Sequence, residues 1–75
     1  MQRRPVSSSN VASVGFEPSE DDPAVGTLEV EFRSGHVYRY NSVPEYVYQE
    51  CIGAASVGKY VNRMIVGNYD EERVG

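Results

Sequence analysis

Between Thr27 and Tyr40 the chain alternates apolar and charged residues around a single glycine, and few folds accommodate that pattern. Leu28, Val30 and Phe32 fall on one side of an extended segment, while Glu29, Glu31 and Arg33 fall on the other. Ser34-Gly35 interrupts the alternation and His36 to Tyr40 resumes it. A two-residue loop at Ser34-Gly35 would pair even with odd positions and set Tyr38 and Tyr40 on the face of Glu29 and Glu31. A three-residue loop, Arg33-Ser34-Gly35 with Gly35 left-handed, pairs even with even. Val30 then faces Tyr38, Leu28 faces Tyr40 and Glu29 faces Arg39. That register yields one apolar face and one charge-paired face, so it is the one expected.

The flanking segments extend this hairpin into a fold. From Asn10 the chain alternates again, with Ala12, Val14 and Phe16 on one face and Ser13 and Gly15 on the other, which predicts a third strand. Glu17 to Val25, with two prolines and four acids, reads as an exposed loop. Ser42-Val43-Pro44-Glu45 has the pattern of a capping box and predicts a helix to about Ile52, with Val43, Val47 and Cys51 on one stripe, Tyr46 beside it and Gly53 as its stop. Ser56 is placed to cap a second helix, in which Val57, Tyr60, Val61, Met64 and Ile65 follow the i, i+3, i+4, i+7, i+8 spacing of a buried face. Gly67 ends it, and Asn68 and Tyr69 can pack back. The expected fold is α+β: a three-stranded antiparallel sheet followed by two helices packed on one face. Residues 1–9 are expected as a flexible lead, 10–69 as a single domain and 70–75 as a frayed acidic tail.

A chain of 75 residues is one domain with a modest core. A deep, water-excluding site would cost core that it can hardly spare, which favours binding over catalysis. No apolar run approaches the roughly 20 residues needed to span a bilayer. Arg3 and Arg4 are not followed by the apolar stretch of a secretory signal. The single cysteine, Cys51, cannot form an internal disulfide, so a reduced, cytoplasmic compartment and a monomer are expected. Net charge is −4, from 7 basic against 11 acidic residues, which argues against a general nucleic-acid binder. The acids are clustered, however. Glu20, Asp21 and Asp22 share one loop, and Asp70, Glu71 and Glu72 share the tail. Setting those six aside leaves seven basic residues against five acidic ones.

No catalytic, metal-binding or cofactor-binding apparatus is legible. His36 and Cys51 are each the only residue of their type and lack companion ligands for zinc. Cys51, at a core-facing helical position, reads as a small buried hydrophobe. Ser7-Ser8-Ser9 offers hydroxyls without a base or an oxyanion hole. Glu29 and Glu31 have Arg39 and Arg33 on the same face to pair with them. Gly53-Ala54-Ala55-Ser56-Val57-Gly58-Lys59 is not a phosphate loop: Tyr60 stands where a hydroxyl residue should follow the lysine, and no strand precedes it.

Two features bear on binding. Six tyrosines are many for this length. On an open sheet they would stack bases; at a core edge they bury a ring and leave the hydroxyl wet. Parity sets Tyr38 and Tyr40 on the face the helices should cover, which favours the structural reading. The second helix carries Lys59, Asn62 and Arg63 on its other face, a small basic patch at phosphate-contacting spacing or an ordinary solvated helix face.

The ordered set Ser8-Ser9, Leu28-x-Val30-x-Phe32-x-x-Gly35, Tyr38-Arg39-Tyr40, Val43-Pro44 and Ala55-Ser56-x-Gly58-Lys59-Tyr60-x-Asn62 resembles the KTSC domain. That family occurs at the C-terminus of some lysyl-tRNA synthetases and as stand-alone short bacterial proteins, and its signature Tyr-x-Tyr is matched by Tyr38 and Tyr40. The size here suggests a complete stand-alone member. One departure is Val61, where an aromatic is expected before the asparagine. The resemblance implies no catalytic residues. It implies a binding module of unestablished function, with RNA, tRNA in particular, as the leading partner; the residues expected to carry that binding come from the helical face and its charge, Lys59, Asn62 and Arg63 with Arg3 and Arg4 in support. The alternative is a protein-interaction module using the outer sheet face, with Val37, Glu29, Glu31, Arg33 and Arg39, or an edge strand.

Overall fold

The computed structural model describes residues 1–75. Its strands are β1 (Arg4–Pro5), β2 (Val11–Pro18), β3 (Val25–Phe32), β4 (Val37–Pro44) and β5 (Glu71–Arg73). They form one antiparallel sheet in the order β1-β2-β3-β4-β5. Two helical segments, α1 (Glu45–Ile52) and α2 (Val57–Tyr60, continued by a π turn over Val61–Ile65), pack on one face. No helix is long and apolar enough to cross a membrane.

The central hairpin has the register that charge pairing requires. Val30 pairs with Tyr38, Leu28 with Tyr40 and Glu29 with Arg39. Phe32 N–H donates to His36 O at 2.9 Å, closing a three-residue loop in which Gly35 is left-handed, with φ +98°. Only a residue without a Cβ adopts that angle without strain.

The sheet has five strands where three were expected. Arg4–Pro5 pairs with Val14 and Ser13, and Glu71–Arg73 pairs with Tyr40 to Tyr38. The segments set outside the folded body on sequence thus supply both edge strands. Neither alternates, because an edge strand this short is held by backbone bonds to a sheet that already exists.

Two bulges adjust the faces. One sits between Val11 and Ser13 on β2, so Val11 and Val14 both enter the core despite opposite parity, and Ala12 is only partly buried. The other sits on β4 opposite the Gly26–Leu28 stretch, where Ser42 is left-handed at φ +57°. Ser42 therefore belongs to a strand and does not cap α1, correcting the capping-box expectation. The cap position is Pro44, which has no side-chain donor or acceptor. The first-turn Glu45 N–H donates instead to Ala24 O at 2.8 Å, so the acidic loop takes the cap's place.

The core joins Val11, Val14, Leu28, Val30, Tyr40 and Val43 of the sheet to Val47, Cys51, Val57, Val61 and Ile65 of the helices. Each such side chain contributes roughly 1.5–3 kcal/mol on full burial. Tyr40 is fully buried and Tyr38 half-buried, the latter edge-on to Phe32 with centroids 5.9 Å apart. Tyr46 is exposed, and Tyr48 packs instead, stacked on Phe16 at 5.5 Å. Burial pushes the Cys51 thiol up to about 11, as befits a core residue and not a nucleophile.

Met64 departs from its helical spacing. Val66 N–H bonds to Val61 O, five residues back, at 3.0 Å. This wider turn inserts one residue per loop, keeps Val61 and Ile65 inward and swings Met64 out to 50% exposure.

Candidate functional site

The site is built around the start of α2. Ser56 caps it: its Oγ accepts from Lys59 N–H at 3.3 Å. Gly58, in the first turn, is buried against the Ser7–Asn10 segment, and a Cβ there would lie 3.2 Å from Ser8 Oγ. Ser8 Oγ in turn accepts from the N–H groups of Asn10 and Val11, both at 3.2 Å, which bends the chain over the helix start. Arg33 locks this bend from below. Its Nε donates to Ser8 O at 3.1 Å and its Nη2 to Val6 O at 3.4 Å. Arg33 is therefore not the partner of Glu31 expected from parity; backbone carbonyls of the N-terminal segment claim it.

A groove of about 360 Å³ runs between this bend and α2. Ser7, Ser8, Ser9, Asn10, Ser56, Lys59 and Asn62 supply its polar wall. On the far side of Lys59 lies a hollow of about 340 Å³ walled by Ala54, Ser56, Lys59, Tyr60, Arg63 and Met64. On the far side of Ser7 a larger depression, about 710 Å³, has Arg4 as its only charged residue. The three adjoin through shared residues: Ser7, Ala55 and Val57 on one side, Ser56 and Lys59 on the other.

The structure brings Lys59 and Asn62 together over the groove and turns Arg63 into the neighbouring hollow. All three are exposed. Arg4 joins the same track. Arg3 does not: it lies on the opposite sheet face, ion-paired to Glu29, with its Nε donating to Ser13 Oγ at 3.1 Å. Glu29 also accepts from Arg39 Nε at 2.7 Å, and Ser13 Oγ donates to Glu31 at 2.8 Å. Glu29 and Glu31 thus find their partners within the outer face. Burial by itself would raise the Glu29 carboxyl; the hydrogen bonds and charges of Arg39 and Arg3 outweigh it and hold the group below the usual glutamate range.

Of the two arginines expected in support, Arg4 lies on the track and Arg3 does not, and the Ser7–Asn10 wall was not anticipated as site material. The wall's available signal was the serine pair within the ordered motif set, which brings two distant motifs to one groove.

The KTSC domain model matches residues 7–69. The chain belongs to the KTSC domain family. The fold is similar to that in the crystal structure of a KTSC domain protein from Yersinia pestis, with a TM-score of 0.86 and 36% identity over 99% of this chain and 97% of that one. An uncharacterized protein of Stutzerimonas stutzeri is 39% identical over 64 residues, covering 85% of this chain and 83% of that protein. A lysine–tRNA ligase of Nostoc sp. is 38% identical over 53 residues, which is 71% of this KTSC chain and 9% of the ligase.

Proposed function

We propose that this KTSC domain is a non-enzymatic RNA-binding module, with tRNA the first RNA to test. The observation that carries the reading is a continuous track of three adjoining concavities, holding Arg4, Lys59 and Arg63 and not one carboxylate, on a chain of net charge −4. Eleven acids distributed without regard to function would be expected to border it. Serine hydroxyls and the Asn62 amide beside Lys59 suit phosphate and ribose oxygens. The segment shared with lysine–tRNA ligases supports tRNA as the RNA class.

Three cations make for weak binding with a log–log salt slope of about −2 to −3. Titration of labelled tRNA and single-stranded RNA at low salt should shift the amides of residues 7–10 and 56–63, and Lys59→Glu should abolish the shifts. Silence in those residues at high protein concentration would end the reading. Partners captured on the domain that survive nuclease treatment would instead favour protein docking on the outer sheet face or an edge strand.

A further inference from the structure

We infer that the RNA taken by this surface is single-stranded, with one unstacked base lodged in the hollow between Tyr60 and Met64 and its phosphate at Lys59; the inference rests on the RNA reading above. The π turn is the starting point. Met64 has the spacing of a core residue, yet this turn holds it half-exposed beside Tyr60. The result is an apolar hollow flanked by two cations, Lys59 and Arg63, with no carboxylate in its wall. The Tyr60 hydroxyl donates to Glu50 at 2.9 Å, which fixes the ring. A neutral apolar ligand would leave both cations without partners. A π-face joined to an anion satisfies the whole lining, and a guanidinium such as that of Arg63 stacks on bases as well. Lys59 and Ser56 also wall the hydroxyl groove, so a phosphate seated there lies one step from the hollow. A duplex hides its base faces and has nothing to insert.

The test is fluorescence anisotropy at low salt with three labelled probes: a 12-nucleotide single-stranded RNA, its 12-base-pair duplex, and an abasic ribose-phosphate oligomer of equal length. The single strand should bind about tenfold tighter than either control. Met64→Ser, or the closer-sized Met64→Gln, should remove about that factor for the single strand alone. Equal binding of all three probes to the wild type overturns the inference and leaves the RNA reading standing. A Met64 variant that folds and binds the single strand undiminished also overturns it. Binding of none of the probes defeats both.

Discussion

The hydroxyl of Tyr40 donates to a carboxylate oxygen of Glu71 at 2.8 Å, so a residue of the tyrosine signature also anchors the last strand. Burial, then the Glu71 carboxylate, raise the pKa of this phenol and keep the donor protonated. Tyr40→Phe keeps the buried ring and deletes only that bond. Glu71 is exposed and rehydrates, so the expected cost is about 0.5–1.5 kcal/mol. Hydrogen exchange should quicken selectively at Glu71 to Arg73. Unchanged protection there would mean that backbone pairing alone holds β5.

The Glu29 cluster predicts an acid-sensitive stability. A carboxyl whose folded pKa lies below its unfolded value stabilises the fold above the unfolded value, about 4.3 for glutamate. That contribution is lost as pH falls through the depressed folded value. Urea unfolding should therefore show wild type more stable than Glu29→Gln by a constant margin from about pH 6 to 8, shrinking below about pH 4.3. A margin that persists undiminished to about pH 2 would assign it to packing and not to charge.

Adjacent residues of the π turn should differ sharply. Ile65 is fully buried, and Ile65→Ala should cost about 2–5 kcal/mol, a large share of the stability of so small a domain. Met64→Ala should cost less than about 1 kcal/mol, because half the side chain already meets water. Chemical denaturation of both variants checks this. Comparable losses would mean that a regular α-helix, with Met64 inward, prevails in solution.

Lys59→Ala with Arg63→Ala separates folding from binding. Both side chains are exposed and neither makes an ion pair, so the double variant should melt within about 1 kcal/mol of wild type. Its affinity for tRNA should nevertheless fall, and its salt slope should flatten by about 1.5. Normal folding with undiminished binding would leave the basic face a solvated surface.

The second helix shows how far local pattern carries. Ser56 caps it, and Val57, Val61 and Ile65 are buried where apolar spacing put them. Capping and amphipathic spacing involve residues within one or two turns, so the sequence states them directly. Ser42 shows the converse. Its capping-box signal was locally sound, but pairing with β3 drew the residue into a bulge, and a cross-strand ladder outweighs one side-chain cap.

Local pattern was enough to set the hairpin register, because a slip of one residue would exchange its apolar and charged faces, and only one choice pairs Glu29 with Arg39. It also determined the α+β class and the two helices on one face. The remaining features depend on long-range contacts. The edge strands β1 and β5 are too short to carry a period, and they are held by backbone pairing to a sheet that already exists. The exposure of Met64 follows from a turn that answers to packing at Val61 and Ile65. The partner of Glu29 became Arg3 as well as Arg39, while Arg33 turned to the carbonyls of Val6 and Ser8. The candidate site itself arises where Ser8 meets Gly58. Both belong to the ordered motif set, but at its opposite ends, and only the folded chain, by closing the distance between them, makes a groove.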